Sequence, residues 1–181
     1  LTQKNKPFWI VTSTGKTIFE AIRNMASISS RRIFWSHIKV IVISEQLASS
    51  NTLEIFDFFS RNPELRLRTL IAVTPEDAGK VLDMVPVMEK DPAIYLEKVI
   101  KNKNLTGKSY DIMLKDFLED YLDPYVGPVT SRIIIDKSKS EPILKTSGAY
   151  VFDHNKVSTV LSEEQTRGLL WIKNKMNASI M

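Results

Sequence analysis

The sequence predicts an α+β protein made of two small mixed α/β domains, with helices packed on β-sheets. Two features predict this class. In the first half of the chain, β-branched apolar segments of strand length alternate with segments of helical period; in the second half, three strand-like segments precede one helix. The chain has 181 residues, 43% hydrophobic and 25% charged, which is the balance of a globular protein with a hydrophobic core.

Strands and helices alternate over the first half of the chain. Thr17 and Glu20 have the spacing of a capping box, which predicts a helix with its apolar residues on one stripe. The apolar residues of segment 37–44 are consecutive, which predicts a strand covered on both faces. The predicted strands are residues 7–12, 37–44 and 65–73, and the predicted helices begin at Thr17, Asn51 and Pro75.

The second half predicts two helices, then three strands and a last helix. Proline suits the first turn of a helix, so Pro92 opens one, and a polar turn separates it from the next. Ser162 and Gln165 form a second capping box. The predicted helices are residues 92–101, 109–121 and 162–175, and the predicted strands are residues 129–136, 148–153 and 157–161.

The prolines between residues 86 and 128 suggest a domain division in this region. The predicted units are a first α/β domain at residues 1–88, a helical connection at residues 89–126 and a second small α+β domain at residues 127–181. No internal repeat or low-complexity tract is present.

Composition excludes several classes of site. The chain has no cysteine, so disulfides, thiolate metal sites and cysteine nucleophiles are excluded, and two histidines cannot supply a histidine-rich metal site. The net charge of +4 is scattered along the chain, whereas a nucleic-acid footprint is concentrated on one face. No apolar run approaches the roughly 20 residues of a membrane span. We therefore expect no metal, no cofactor and no nucleic-acid partner.

The segment Gly15-Lys16-Thr17 is similar to the end of a phosphate-binding loop, because it follows a predicted strand and precedes a helix. The full motif needs a glycine where this chain has Ile10. The simpler interpretation is that Gly15 permits a turn and Thr17 caps the helix. A nucleotide-binding protein or enzyme that uses this turn remains the alternative function.

No other pattern indicates catalysis. Glu163 and Glu164 are adjacent, but consecutive helical residues point about 100° apart, so we expect them to complement the helix dipole instead. His37 has no serine or carboxylate pattern of a catalytic triad around it, and we expect a structural histidine with its hydrogen bonds satisfied. The sequence predicts no catalytic residue.

A basic surface is the one candidate site. Arg66 and Arg68 alternate with leucines in the predicted strand 65–73, which would place both guanidinium groups on one face. With Arg31, Arg32 and Arg61 they would form a basic patch, because arginine pairs well with carboxylates and phosphates. The predicted interaction surface consists of Arg31, Arg32, Arg66 and Arg68. A protein partner is the first expectation and lipid headgroups the second, and a merely solvated face is the alternative.

Two blocks carry a resemblance to a known family. Residues 31–45 are a basic aromatic turn that leads into a β-branched strand, and residues 53–69 are a phenylalanine-rich helix followed by an arginine–leucine alternation. Together they resemble the C subunit of the nutrient germinant receptors of spore-forming bacteria, the Ger(x)C lipoprotein family. Residues 13–23, 147–152 and 161–171 resemble further family segments in the same order.

The resemblance implies a function that composition and spacing do not. It implies a non-enzymatic receptor subunit at the spore inner membrane, facing outward, beside an A subunit and a transporter-like B subunit. Family members are lipoproteins with a signal peptide and a lipidated, palmitate-bearing cysteine, which this chain does not contain. We therefore expect a soluble fragment that holds domain one, without its N-terminal part, and domain two.

Overall fold

A computed structural model describes residues 7–29, 33–50, 52–86, 88–138 and 140–176, with residues 53 and 104 described by their backbone. Helices surround one mixed sheet. The helices are α1 (Ile18–Ile28), α2 (Glu45–Ala48), α3 (Leu53–Arg61), α4 (Ala78–Asp83), α5 (Pro92–Lys101), α6 (Lys103–Thr106), α7 (Leu114–Leu122) and α8 (Glu163–Ile172). The strands are β1 (Val40–Ser44), β2 (Leu70–Thr74), β3 (Val129–Asp136), β4 (Ile143–Asp153) and β5 (Lys156–Leu161).

The five strands form one sheet in chain order, β1-β2-β3-β4-β5. β1, β2 and β3 run parallel, and β3, β4 and β5 run antiparallel. The parallel part needs crossovers long enough to carry helices, whereas the antiparallel part is built by short turns. The α+β class with helices packed on a sheet is therefore confirmed.

The sheet joins segments that the sequence assigned to different domains. β1 and β2 come from the predicted first domain, while β3 to β5 come from the predicted second one, and Ala72 of β2 lies beside Ser131 of β3. Two separate sheets are therefore not formed, because parallel pairing of β2 with β3 makes the strands one layer. The proposed boundaries at residues 88 and 126 stay predictions.

The two faces of the sheet support two hydrophobic clusters. Ile71 and Val73 of β2 pack with α2, α3, α7 and α8, while Leu70 and Ala72 of the same strand pack with α4 and α5. Side chains alternate across a strand, so β2 contributes to both clusters, and all five of its residues are buried. The prediction of an apolar strand covered on both faces holds for β1 as well, since Val40 and Val42 contact one cluster and Ile41 the other.

Several predicted elements differ from the structure. Residues 9–12 form no strand, and the helix predicted over 109–121 begins at Leu114. Residues 109–113 are extended because Ile71 donates its backbone N–H to the Ile112 carbonyl at 3.1 Å, which pairs this segment with β2. β4 begins at Ile143, before the predicted start, because residues 143–146 pair with β3.

A close approach between β4 and β5 requires glycine at position 148. Gly148 has φ +87°, a conformation that favours glycine, and an added Cβ would lie 2.1 Å from the Leu161 carbonyl oxygen. Its N–H donates to the Lys108 carbonyl at 2.9 Å. The glycine thus lets β4 pass close to the end of β5.

Candidate interaction surface

The structure places Arg66 and Arg68 in a turn between α3 and β2, and both side chains are exposed. The Arg66 carbonyl accepts hydrogen bonds from the N–H of Thr69 at 3.0 Å and from its Oγ1 at 2.8 Å, which closes the turn. Strand pairing starts only at Leu70. The prediction that the two arginines share one face of a strand is therefore wrong, although both reach solvent and flank the exposed Leu67.

The remaining predicted arginines contribute differently. Arg31 and Arg32 lie outside the described residues. Arg61, at the end of α3, donates from Nε to Asp57 Oδ1 at 2.7 Å, so this ion pair neutralises its charge. In the described part of the chain, the basic surface is reduced to Arg66 and Arg68.

The Gly15-Lys16-Thr17 turn is organised by the helix that follows it. Thr17 Oγ1 accepts from the Glu20 N–H at 3.2 Å, and Glu20 Oε2 accepts from the Lys16 N–H at 2.7 Å. An added Cβ at Gly15 would lie 2.4 Å from the backbone nitrogen of Ala21, so the turn packs against the helix. The predicted N-cap is confirmed, and two backbone donors that a phosphate would need are bound to side chains.

The two adjacent carboxylates at the start of α8 have different surroundings. Glu163 accepts from Ser147 Oγ at 3.0 Å and pairs with Lys108 Nζ at 2.8 Å, while Glu164 is exposed. Burial raises the pKa of Glu163, but the hydrogen bonds from Lys108 and Ser147 outweigh it and the pKa is lowered. Glu163 therefore joins α8 to β4, which is a structural role.

His37 is exposed at the end of a short 3₁₀ turn, and the expectation of a structural histidine with satisfied hydrogen bonds stays a prediction. The same turn leads directly to β1, where the buried strand begins.

A polar cluster that sequence reasoning missed lies beneath α2. Tyr150 is fully buried and donates its hydroxyl to Glu45 Oε2 at 2.9 Å. Burial and, to a smaller extent, Glu45 raise the pKa of Tyr150, the nearby Arg132 guanidinium lowers it, and the net result is a pKa of about 12. The only sequence signal was the polar Ser44-Glu45 pair at the end of a buried strand. The cluster fastens α2 onto β4.

An apolar groove between α1 and α3 was also missed. It has a volume of about 590 Å³, and its apolar lining includes Ile18, Phe19, Phe58 and Pro63. Glu54 lines the same groove. The sequence signal was present in Phe19 and Phe58, but it did not show that the two side chains line one groove.

The described residues contain no cluster of three His, Cys, Asp or Glu side chains that would hold a metal ion. Within those same ranges, none of the helices has the length and apolarity that crossing a membrane requires.

Fold and surface together define an α+β domain with a mixed five-stranded sheet and an open apolar groove between two helices. A family model described as "Spore germination protein N-terminal domain" matches residues 2–135. The chain therefore belongs to this family of spore germination proteins, the Ger(x)C family that the sequence resembles. The matched range extends past the predicted domain boundaries at residues 88 and 126 and includes nearly all of β3.

Two curated relatives come from Bacillus subtilis (strain 168). The chain is 26% identical to the putative spore germination protein YfkR over 96% of its own length and 45% of that protein. It is 25% identical to spore germination protein KC over 94% of its own length and 46% of that protein. The chain thus spans less than half the length of either relative.

A solved structure shares the fold. The crystal structure of the GerBC protein matches with a TM-score of 0.50 and 20% identity, over 86% of this chain and 43% of that chain. At this identity the likeness concerns the fold alone.

Proposed function

We propose that the chain is part of a non-enzymatic C subunit of a nutrient germinant receptor, which takes part in triggering spore germination. The observation that carries the proposal is the family match over residues 2–135. The two relatives named as spore germination proteins support it, because each aligns with nearly the whole chain.

In this proposal the subunit acts at the spore inner membrane and faces outward. Its tether is a lipidated segment in the full-length protein, and its partners are the receptor's A and B subunits. Support comes from the family resemblance. An anchored subunit needs no helix of its own in the membrane, since a lipid chain with a second attraction is enough to hold it there.

The contacts of the Gly15-Lys16-Thr17 turn and of the Glu163-Glu164 pair support a non-enzymatic role. Thr17 and Glu20 bind the backbone donors around Lys16, and Glu163 is held by Lys108 and Ser147. Each of these side chains forms a hydrogen bond or an ion pair with a neighbouring part of the fold. In the proposed function the subunit acts by contacting other proteins.

A gene deletion tests the proposal in spores that carry the full-length protein. Without the gene, spores should lose the response to the nutrient of that receptor and keep the response to non-nutrient triggers. Restoring the gene should restore nutrient germination, measured as the fall in optical density. An unchanged nutrient response in every tested nutrient would contradict the proposed function.

The nucleotide-binding alternative has a separate test. ATP or GTP with magnesium should leave the melting temperature of the chain unchanged, because Thr17 and Glu20 already occupy the donors around the turn. A ligand that binds only the folded state raises the melting temperature. Stabilisation that disappears in Lys16→Ala would establish the alternative.

The exposed turn of Arg66 and Arg68 is the first surface that we propose for a partner subunit. Both residues are outside any ion pair among the described side chains, and exposed ion pairs contribute only about 0–1 kcal/mol to stability. Arg66→Glu with Arg68→Glu should therefore leave the melting temperature unchanged while it weakens receptor assembly and nutrient germination.

Lys137→Glu with Lys156→Glu is the matched control, because both lysines are exposed and the change in charge is equal. The control should leave germination unchanged. If both double variants weaken germination equally, net charge is the cause and the turn is not a specific contact. If the arginine variant unfolds, the two residues are structural.

A further inference from the structure

Helix α1 is incompletely covered by the part of the chain that the structure describes. None of its residues is fully buried. Phe19 is 59% exposed and Ile28 is 61% exposed. Ile18 packs against the main hydrophobic cluster, so the helix rests on the fold by one side. Packing supplies most of the stability of an amphipathic helix, and the exposed Phe19 is an apolar side chain of α1 that a further contact could cover.

The groove between α1 and α3 is open and does not enclose a ligand. Phe19 and Pro63 in its lining are exposed, and Ile18 and Phe58 are only half-buried. Sites for small molecules bury 70–90% of the ligand surface. An open apolar groove between two helices is instead the surface into which a third helix inserts one row of side chains.

The charges of the groove specify the partner further. Asp57 is paired with Arg61, but Glu54 has no ion pair or hydrogen bond among the described residues. Glu54 therefore lies beside the apolar side chains without an ion pair, in the first turn of α3, although the whole chain carries a net charge of +4. A lysine or arginine on the partner would complement Glu54, whereas an anionic lipid headgroup would be repelled by it.

We propose that the α1–α3 groove binds an amphipathic helix of a partner protein, with its apolar side chains against Phe19 and Phe58 and a basic residue beside Glu54. The proposal rests on the proposed function, because it gives the receptor subunit a class of partner segment. The groove is separate from the turn of Arg66 and Arg68, which presents the opposite charge.

The test uses two fluorescent 14-residue helical peptides, one of leucine and lysine and the other of leucine and glutamate. The lysine peptide should bind the chain, and the glutamate peptide should bind at least about ten-fold more weakly. Phe19→Glu should weaken binding of the lysine peptide at least about ten-fold, and Glu54→Lys should reverse the preference between the peptides. Fluorescence anisotropy measures each affinity, and circular dichroism checks that each variant is folded.

Trp171→Glu is the matched control, since Trp171 is an aromatic residue on another helix and is 63% exposed. It should bind the lysine peptide as the unchanged chain does. The proposal is wrong if neither peptide binds, if Trp171→Glu and Phe19→Glu lose affinity equally, or if Glu54→Lys leaves the preference unchanged. Binding of phosphatidylglycerol vesicles that depends on Phe19 would assign the groove to a membrane and also overturn it.

Spores separate this proposal from the proposed function. If the deletion leaves nutrient germination intact, the proposed function fails, whatever the peptides do. If the deletion abolishes germination but Phe19→Glu spores with normal protein levels germinate normally, the groove proposal fails alone. Loss of nutrient germination in Phe19→Glu spores, with Trp171→Glu spores unaffected, supports the groove.

Discussion

Replacing glycine by alanine should have opposite effects on stability at positions 148 and 168. Gly148 has φ +87° and lies against the Leu161 carbonyl, whereas a Cβ at Gly168 in α8 would meet nothing within 4 Å. Gly148→Ala should lower the free energy of unfolding by at least about 1–3 kcal/mol, because both the backbone and the contact are strained. Gly168→Ala should raise it by about 0.5–1 kcal/mol, because alanine loses less entropy in a helix.

Urea denaturation of both glycine variants measures these changes. A Gly148→Ala protein as stable as the unchanged chain would mean that β4 shifts away from β5 at little cost. A Gly168→Ala protein that is destabilised would indicate a contact on that face of α8.

The buried Tyr150 hydroxyl should contribute measurably to stability. Tyr150→Phe removes its hydrogen bond to Glu45 and leaves a part-buried carboxylate without that donor. We expect a loss of about 1–3 kcal/mol in the free energy of unfolding, which is the usual cost of a buried polar group left unsatisfied. Tyr125→Phe is the control, because Tyr125 is 94% exposed. Equal urea midpoints for the two variants would show that water replaces the lost bond.

At the scale of elements, Glu163 joins the start of α8 to β4 through Ser147 and to the segment between α6 and α7 through Lys108. Because its pKa is lowered from the ordinary 4.5, the folded state favours the carboxylate. This contribution to stability is therefore complete above pH about 4.5 and is lost as the pH falls through the lower folded pKa.

Glu163→Gln should remove this part of the acid dependence. The difference in unfolding free energy between the unchanged chain and the variant should be largest near neutral pH and should shrink below pH about 4.5. Chemical denaturation across this range measures it. A difference that stays constant with pH would mean that Glu163 acts through its size and not through its charge.

The helix starts were predictable because their signals are local. Thr17 and Ser162 cap α1 and α8 through side chains three residues apart, and Pro92 begins α5. The strand predicted over 65–73 failed at its start, because the turn at Arg66 depends on hydrogen bonds from Thr69. Alternation of arginine and leucine there imitates the period of a strand, and no local signal in the sequence distinguishes the two.

The candidate site was also predictable only where its signals are local. The exposure of Arg66 and Arg68 followed from their residue type, but their placement required the structure. The groove needs α1 and α3 side by side, and these helices are separated in the chain by β1 and α2. The pair of Asp57 and Arg61 has a local signal, because the two residues are four apart on α3, but the position of Glu54 in the groove required the structure.

At the scale of the whole molecule, the single sheet sets the smallest unit that folds. A chain cut after residue 135, where the family match ends, would lack β4, β5 and α8. It would expose the side of the core that Tyr150, Phe152 and Leu170 cover. We expect such a chain to lack cooperative unfolding, measured by thermal denaturation with circular dichroism. A sharp transition equal to that of residues 1–176 would show that residues 1–135 fold independently.

The parallel pairing of β2 also has a consequence for synthesis of the chain. β1 is synthesised before β2 and can pair with it at once. The other edge of β2 pairs with Ile112 and with β3, which begins at Val129, and both are synthesised later. At about 5–20 residues per second, the ribosome leaves that edge unpaired for roughly 2–8 s. An apolar strand edge is a template for aggregation during this interval. A chaperone that shields nascent strands should therefore raise the yield of folded protein more than one that acts on completed chains.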